Sequence, residues 1–410
     1  MRTVLVTGKG GSGRTTAAAA TAVLAARSGL RTLLLTTDAH RPPADLLGVA
    51  VRDAEPVEVE ENLLAARTDA QAAFREETLA VQERVAPALD LLGVEPLLPE
   101  ELMPVPGAPE LVLLRTLRDE ARSGAWDVLV VDAPDTPRLL AALTLPALLR
   151  RYLDRLLPGE RRAARALRPV LADVMGVPMP AEWLFSAREW LDEELSGLQE
   201  VPDDPETTVR LIVEPGPTAE ADLRRARAGL ALHGQNLDAV LANRLLPSGS
   251  PDPWLAAFSG EQHAALKEIR DECARPEERH VPVYELPHAG HDPAGTEELA
   301  GLAAAAYGTV PGPVGRPPSE RPDPDEPFTV DQQGEGTDRR LVLRMPLPGA
   351  HRADLELARC GDELVIGIGP YRRLLTLPSA LRRCTVDGAS LRGGVLAVRF
   401  RPDAGLWPVR

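Results

Sequence analysis

Short apolar runs alternate with longer segments of helical periodicity along the first three quarters of the chain. The runs are rich in Val, Ile and Leu, which is typical of strands that are buried on both faces. Strands of this kind separated by helices predict an α/β domain with a doubly wound, mostly parallel sheet. The predicted strands are residues 3–6, 30–35, 126–132, 208–213, 237–241 and 281–286.

The segments between these runs have the periodicity of amphipathic helices. We expect the α/β domain to span residues 1–308, with a helical insertion at about residues 139–200 that is divided by prolines, among them Pro146. Three aromatic residues lie close together in the insertion, at Trp183, Phe185 and Trp190. Core packing is favoured for them over a groove for a client protein. The other predicted helices are residues 15–28, 60–92, 110–122, 218–232, 261–274 and 296–307.

The pattern changes after residue 308. Residues 309–337 are rich in Pro, Gly, Asp and Glu, which predicts an extended, mobile linker. Beyond it apolar residues recur at every second position between Gly and Pro turns, which predicts a small all-β sandwich over residues 338–410. The predicted strands are residues 341–345, 355–357, 364–368, 374–377 and 395–400.

Charge and cysteine content exclude several classes of function. The net charge of −15 argues against nucleic acid and anionic membranes as partners. The three cysteines form no C-x-x-C pair, so neither a disulfide framework nor a zinc site is predicted. The chain starts with a strand instead of a signal peptide, and the apolar run 17–26 is too short to cross a bilayer. We therefore expect a soluble cytoplasmic protein.

Opposite charges are predicted for the two parts of the chain. The sandwich carries about six more basic than acidic residues, and the remainder is correspondingly more acidic than the whole. We therefore expect electrostatic attraction to favour docking of the sandwich on the α/β domain.

A glycine-rich loop follows the first strand and precedes a helix. This context is typical of a phosphate-binding loop, because glycine lets backbone N–H groups turn toward an anion at a helix N-terminus. A glycine turn without a ligand is the disfavoured alternative. The residues predicted to bind nucleotide here are Gly8, Lys9, Gly10, Gly11, Ser12, Gly13, Arg14, Thr15 and Thr16.

Two basic residues of this loop are unusual. Arg14 stands where the general pattern G-x-x-x-x-G-K-[ST] has lysine, and it lies beside the phosphates as a candidate catalytic residue. The chain has only two lysines, Lys9 and Lys267, so the lysine at position 9 was retained where arginine is otherwise preferred. Lysine is a compact point charge and arginine a bulky fork. Lys9 is therefore a candidate catalytic residue in a space that arginine does not fill.

Acidic residues follow two of the predicted strands at the sheet edge where the glycine loop lies. Asp38 and Asp132 are candidates for a Mg²⁺ site together with the hydroxyl of Thr15. Asp45 is a candidate for holding the attacking water. Either Asp38 or Asp45 alone could instead be a solvated helix cap. His288 and His291 lack a third ligand nearby and are interpreted as a surface loop.

Lys9-Gly10-Gly11-Ser12-Gly13-Arg14-Thr15 resembles the deviant Walker A loop K-G-G-x-G-K-[ST] of the ArsA-type ATPases. Residues 37–45 resemble their switch I, and residues 132–146 match the length of their switch II. Residues 242–247 are similar to their adenine-reading N-R-x-x-P segment, and residues 287–299 to their final nucleotide-side loop. Residues 338–410, with Gly393-Gly394-Val395-Leu396, are similar to the α-crystallin (small heat-shock) domain of some ArsA-like proteins.

The resemblance implies a homodimeric ATPase that uses ATP and Mg²⁺. Lys9 of one protomer would reach the phosphates held by the other, and Asp45 would position water. Asn243 would hydrogen-bond adenine, with Arg244 and Pro287 also at the nucleotide. Closure would act on a protein client or membrane partner that the sequence does not identify. The metalloid-binding cysteines and the zinc-clasp C-x-x-C are missing, so neither an arsenite thiolate site nor zinc is expected.

Three functions compete. The preferred one is an ATPase that couples closure to a client, because the candidate water-positioning and metal-binding groups are present. The alternative is a nucleotide-gated scaffold or chaperone-like adaptor with little turnover, which Arg14 favours. A partition-type ATPase acting on DNA is disfavoured by the charge and by the sandwich.

Overall fold

The computed structural model describes residues 1–37, 44–92, 95–156, 181–276, 278–308, 327–334 and 339–403. A mostly parallel sheet with helices on both faces forms the first part, and an antiparallel all-β unit forms the second. The predicted fold class is therefore confirmed.

The central sheet has eight strands in the order β3-β4-β2-β5-β1-β6-β7-β8. All neighbours in it are parallel except β3 and β4. β1 occupies an inner position between β5 and β6, so its carboxyl end lies at the middle of one sheet edge. The strands are β1 Arg2–Gly8, β2 Thr32–Thr36, β3 Val57–Glu60, β4 Leu63–Arg67, β5 Val128–Asp132, β6 Thr207–Val213, β7 Leu237–Leu245 and β8 Val283–Pro287.

Helices cover both faces of this sheet, and the side chains of β1 alternate between them. Val4 and Val6 join one core with α1 and α9, while Leu5 joins the other with α4, α5, α6 and α7. The helices are α1 Arg14–Arg27, α2 Ala44–Leu47, α3 Ala70–Leu92, α4 Ala108–Ser123, α5 Thr136–Leu156, α6 Ala181–Asp203, α7 Ala219–Leu232, α8 Pro253–Cys273 and α9 Gly295–Tyr307.

Several predicted boundaries in this domain were wrong. Residues 57–67 form the edge hairpin β3–β4 at the point where a helix over 60–92 was predicted, and α3 begins only at residue 70. Pro146 lies inside α5 instead of ending a helix. α8 begins at Pro253, earlier than predicted, with Asp252 accepting a hydrogen bond from the backbone N–H of Leu255 at 2.9 Å. The side chains of Trp183 and Phe185 lie outside the described residues, and Trp190 is exposed.

The sandwich consists of the sheets β14-β15-β10-β9 and β11-β12-β13. Two of its strands were not predicted: β9 lies within the segment expected to be linker, and β14 follows a short helix, α10 Ser379–Arg382. The strands are β9 Thr329–Gln333, β10 Arg340–Pro346, β11 Leu355–Cys360, β12 Glu363–Ile368, β13 Tyr371–Thr376, β14 Cys384–Arg392 and β15 Val395–Pro402.

The sandwich packs directly on α5 and α7, and its core is continuous with one core of the α/β domain. The ring of Tyr371 lies over Gly229 so closely that a Cβ on that glycine would be 2.6 Å from the ring. Beside it, Arg373 Nη1 donates a hydrogen bond to the carbonyl oxygen of Leu232 at 2.8 Å. Apolar packing thus accounts for the centre of this contact.

The ion pairs at the margin of the contact do not follow the net charges of the two parts. Arg151 of α5 contacts Glu363 of the sandwich at 2.6 Å, and Arg224 of α7 lies 3.5 Å from Asp354. In both pairs the arginine belongs to the acidic α/β domain. The overall charge difference therefore did not indicate which groups meet.

No described helix combines the length and the apolar composition that a bilayer span requires.

Candidate functional site

The glycine-rich loop joins β1 to α1 at the middle of the sheet edge. Gly11 and Gly13 have φ of 82° and 89°, a left-handed conformation that favours glycine. A Cβ on Gly13 would also lie 2.1 Å from Nδ2 of Asn243. Within the loop, the backbone N–H and the Oγ of Ser12 both donate to the carbonyl oxygen of Lys9, at 3.2 and 2.8 Å. These contacts fix a tight turn in which Gly11 and Gly13 have a conformation that favours glycine.

Open space lies beside the middle of this loop. A Cβ on Gly10 or Gly11 would meet no described heavy atom within 4 Å. Thr15 and Thr16 lie in the first turn of α1, whose N-cap, Gly13, offers no side chain to the free N–H groups. Unbonded N–H groups at a helix N-terminus attract anions. The loop therefore has the room and the polarity that a phosphate group requires.

Lys9 extends from the loop toward solvent. Its side chain is 75% exposed, and Nζ lies 3.7 Å from Oδ2 of Asp222 in the first turn of α7. Asp222 also accepts a hydrogen bond from the hydroxyl of Thr218 at 3.1 Å. A pair this exposed holds the ammonium only weakly, so Lys9 is free to take another partner.

The side chain of Arg14 bonds to the segment that follows β5. Its Nη1 donates to the carbonyl oxygen of Ala133 at 2.5 Å, directly after β5. The hydroxyl of Thr7 donates to the carbonyl oxygen of Pro134 at 2.6 Å. Two side chains of the glycine-loop region thus bond to the segment 133–134, which leads into α5.

Asp132 is buried at the end of β5, beside the end of β2. The hydroxyl of Thr36 donates to Oδ2 of Asp132 at 3.1 Å, and that of Thr37 to its carbonyl oxygen at 2.9 Å. Asp38 lies outside the described residues. Asp45 belongs to the short helix α2, but its side chain is not described. Of the three predicted acids, the structure therefore places only the Asp132 side chain.

β7 extends further than predicted and brings Asn243 and Arg244 to the back of the glycine loop. Nδ2 of Asn243 donates to the carbonyl oxygen of Ser12 at 2.7 Å, and Nη1 of Arg244 to that of Gly11 at 3.0 Å. Arg244 has φ of 57°, which is uncommon for a residue with a side chain. Both residues hold the loop in this structure, in addition to any contact with a base.

A small cavity of about 40 Å³ opens between these residues and the loop after β8. A second, more apolar cavity of about 320 Å³ shares its wall from Pro287 to Pro293 and continues along α9. Of the two, only the second has the room and the apolar wall that suit a flat heteroaromatic ring. The first cavity is lined by Gly13, Thr16, Asn243, Arg244, Pro287, His288, Ala289, His291, Asp292, Pro293 and Leu302.

The two histidines of the loop after β8 have partners that do not include each other. His291 pairs with Glu298 at 2.9 Å, and His288 Nδ1 accepts a hydrogen bond from the backbone N–H of Gly290. The described residues contain no group of three or more potential metal ligands. His288 and His291 are both exposed, so this loop lies on the surface.

Sequence reasoning missed the contacts made by Thr7, Thr36, Thr37 and Asp222. The three threonines follow or end strands β1 and β2, and a search for hydroxyl groups at strand ends would have found them. Asp222 gave no signal, because only the fold brings α7 next to Lys9.

Comparison with protein families matches residues 1–308 to a family described as anion-transporting ATPase, and residues 338–400 to an HSP20-like domain found in ArsA. An uncharacterized protein of Streptomyces coelicolor is 49% identical over 100% of this chain and 99% of its own length. A protein of Mycobacterium tuberculosis is 34% identical over 99% of this chain and 97% of its own. A protein of Aquifex aeolicus, provisionally named arsenical pump-driving ATPase 1, is 27% identical over 95% and 98%.

Proposed function

The chain belongs to the anion-transporting, ArsA-type ATPase family, with an ArsA-associated HSP20-like domain at its C-terminal end, and from this premise we propose that it binds and hydrolyses ATP with Mg²⁺ as a homodimer. The family match supports the class of activity. The sequence predicted the same family and the same appended domain, and both predictions are confirmed.

One observation carries the nucleotide assignment. The loop at residues 8–16 leaves space beside Gly10 and Gly11, while the carbonyl oxygens of Gly11 and Ser12 are bonded to side chains of β7. Backbone N–H groups in such a loop can surround phosphate oxygens, and α1 adds the positive end of its dipole. The larger of the two adjoining cavities, which has Pro287 in its wall and about 320 Å³ of space, would take the base, with Asn243 in the wall of the smaller one beside it.

The residues at this edge fit a magnesium ion. The hydroxyl of Thr15 is in the first turn of α1, and the buried carboxylate of Asp132 ends the neighbouring strand. Asp38 is the third predicted ligand. A bound Mg²⁺ would neutralise phosphate charge, and oxygen ligands of this type are the ones it prefers. The role of Asp132 is then to orient the site, with the Thr36 hydroxyl fixing its carboxylate.

The proposed role of Lys9 depends on a second protomer. Its ammonium is exposed and weakly paired with Asp222, so it can be transferred to an anion on a facing copy at small cost. Asp45 is proposed to hold the attacking water. Arg14 would compensate phosphate charge after it leaves the carbonyl oxygen of Ala133.

The contact of Arg14 with Ala133 also favours the second candidate function, a nucleotide-gated scaffold with little turnover. If Arg14 stays on Ala133 when nucleotide binds, the phosphates lack the charge that lysine supplies in related loops. Both functions involve ATP binding and a client or partner protein. They differ in the rate of phosphate release.

ATP turnover measured beside the oligomeric mass tests the proposal. We expect the purified protein to bind Mg·ATP, to dimerise with a nonhydrolysable ATP analogue and to release phosphate. Binding and dimerisation without turnover would favour the scaffold. An absence of affinity for both Mg·ATP and Mg·ADP would refute nucleotide binding.

A further inference from the structure

One side chain of the sandwich lies at the point where its two supporting helices meet. The ring of Tyr371, the first residue of β13, is buried against α7. A Cβ on Gly229 of α7 would lie 2.6 Å from this ring and 3.0 Å from Cδ1 of Leu140 of α5. The helices α5 and α7 and the sandwich therefore come together at one point, which we call the junction and which consists of Leu140, Gly229 and Tyr371.

The phenol of Tyr371 is within electrostatic range of the start of α5. Burial raises the pKa of Tyr371, and the charge of Arg225 opposes this increase while that of Asp135 adds to it. Asp135 directly precedes α5, and its carboxylate accepts a hydrogen bond from the backbone N–H of Arg138 at 3.1 Å. The sandwich therefore approaches the residue at which this helix begins.

The segment 133–134, which leads into α5, is also bonded to the glycine loop. Arg14 donates to the carbonyl oxygen of Ala133, and the hydroxyl of Thr7 donates to that of Pro134. When Arg14 leaves Ala133, as proposed above, one of these two bonds is lost and the segment is held less firmly. Because the segment is continuous with α5, a shift of the segment moves the start of the helix.

Other contacts hold the sandwich on both helices. Arg151 of α5 contacts Glu363, and Arg373 donates to the carbonyl oxygen of Leu232 at the end of α7. Around the junction, one apolar core includes residues of both helices and of the sandwich. Closely packed interfaces have discrete arrangements and do not deform continuously. A movement of α5 relative to α7 therefore alters the junction and weakens the docking of the sandwich.

We propose that the docked sandwich restrains ATP turnover. Docking holds α5 and the segment 133–134 in the arrangement in which Arg14 bonds to Ala133, and bound Mg·ATP loosens the docking by drawing Arg14 away from that carbonyl oxygen. The inference rests on the proposed function and adds an internal regulator to it. Tyr371 is a positioning residue, because it acts through α5 and does not line either cavity of the candidate site. By thermodynamic linkage, undocking of the sandwich then strengthens nucleotide binding.

Cross-linking across the contact tests the effect of nucleotide on docking. Arg151→Cys/Glu363→Cys, in a Cys360→Ser background that removes the exposed free thiol, places two thiols on opposite sides of the contact. We expect a short bismaleimide to join them about fivefold or more slowly when the nonhydrolysable ATP analogue and Mg²⁺ are present. Glu356→Cys/Arg372→Cys in the same background is the matched control. This ion pair lies within the sandwich, so its cross-linking rate should not change.

The cross-linked protein tests the restraint itself. A sandwich that is fixed to α5 should lower both the affinity for the Mg²⁺-bound analogue and the rate of phosphate release from ATP, each by about fivefold or more relative to the untreated protein. Cross-linking of the control pair should change neither quantity. Affinity is measured by equilibrium binding, so this part of the test does not depend on turnover.

Substitutions that weaken the docking give the opposite test. Glu363→Arg sets a like charge against Arg151 at the margin of the contact, and Glu356→Arg makes the same change at the ion pair within the sandwich. We expect Glu363→Arg to raise kcat and nucleotide affinity about twofold or more, whereas Glu356→Arg leaves both unchanged. Tyr371→Ala should have a larger effect in the same direction, and Tyr371→Phe, which retains the ring, should resemble wild type. If Tyr371→Ala fails to fold, Glu363→Arg still decides the question, because it leaves the apolar core intact.

The outcomes separate this inference from the function on which it rests. A protein that binds Mg·ATP while the cross-linking rate stays constant and Glu363→Arg behaves as wild type would overturn the inference and leave the proposed function intact. Slower turnover in a folded Glu363→Arg would also overturn it, because docking would then support hydrolysis. An absence of affinity for both Mg·ATP and Mg·ADP would refute the nucleotide function, and the inference with it.

Discussion

Arg14 of the glycine loop donates a hydrogen bond to the carbonyl oxygen of Ala133, 2.5 Å away, and so joins the loop to the segment that leads into α5. A lysine at this position has a narrower head group and lacks the planar fork of donors. In this structure the guanidinium is therefore held at Ala133, where it stabilises the loop, and it must leave that carbonyl oxygen before it can reach a phosphate.

We expect Arg14→Lys to raise ATP turnover by about tenfold, which corresponds to ~1.4 kcal/mol of activation free energy. The lysine ammonium lacks the planar fork with which Arg14 bonds to Ala133, so it can approach the phosphate oxygens as a compact charge. Steady-state phosphate release measures the effect. Arg27→Lys, in the last turn of the same helix, should leave turnover unchanged because Arg27 pairs with Glu60 and Glu297. An unchanged or lower rate in Arg14→Lys would contradict the idea that arginine at this position slows ATP hydrolysis.

Asp45→Asn should reduce ATP hydrolysis by about 10²-fold or more and leave ATP affinity within a small factor of wild type. The carboxylate is proposed to orient water, and an amide cannot accept the proton. Single-turnover kinetics and equilibrium nucleotide binding measure the two effects separately. Asp53→Asn is the matched control on an exposed turn. Loss of binding together with hydrolysis would be inconsistent with a role confined to the water.

Lys9→Ala should weaken the ATP-dependent dimer by about tenfold or more, because a charge that reaches across the interface is removed. Lys267→Ala is an ideal control, since Lys267 is the other lysine of the chain and is exposed on α8. Size-exclusion chromatography with the nonhydrolysable analogue compares the two variants. Equal dimerisation of both would exclude Lys9 from the interface.

Gly229→Ala should destabilise the protein by about 1–3 kcal/mol, because the new methyl group would overlap the ring of Tyr371. The contact joins α7 to the sandwich, so the sandwich should become more sensitive to proteases. Gly260→Ala, on a helix with open space around it, should instead stabilise by up to about 1 kcal/mol. Denaturant unfolding measures both free energies. A neutral Gly229→Ala would mean that Tyr371 is not packed against α7 in solution.

Burial of His233 at the end of α7 should make the protein less stable as the pH is lowered. Burial, reinforced by the positive charge of Arg373, lowers the pKa of this histidine to about 4. Between pH 6.5 and 4 the unfolded chain binds a proton that the folded chain does not, so the free energy of unfolding decreases over that window, by at most ~3 kcal/mol.

The contribution of His233 can be isolated by substitution. Unfolding by denaturant at pH 7 and at pH 4.5 should show a smaller pH difference for His233→Asn than for wild type. His280→Asn, at an exposed position, should retain the full difference. Equal pH differences for all three proteins would argue against a buried neutral His233.

The sequence predicted the parallel sheet because its strands are buried on both faces and contain continuous apolar runs. It failed at β4, where Leu63, Leu64, Ala65 and Ala66 favour a helix locally and pairing with β2 selects a strand. β9 was missed because its residues are exposed and mostly polar, and only pairing with β10 defines it.

The candidate site was predictable where its residues are adjacent in sequence. The glycine loop is such a case. Asn243 and Arg244 are distant in sequence, and only the family resemblance of residues 242–247 placed them near the loop, to which they bond in the structure. The contact of Arg14 with Ala133 and that of Lys9 with Asp222 depend on the packing of β5 and α7, which no local pattern encodes.

The continuous core shared by the two domains has a consequence for synthesis of the chain. Leu140 and Leu143 of α5 and Ala228 of α7 belong to the apolar cluster that the sandwich completes. These residues leave the ribosome long before the strands that cover them. A nascent or prematurely terminated polypeptide therefore exposes an apolar surface that promotes aggregation. Messages truncated within the last seventy or so codons should therefore yield products that aggregate or are degraded, even though every residue at the candidate nucleotide site has already been translated.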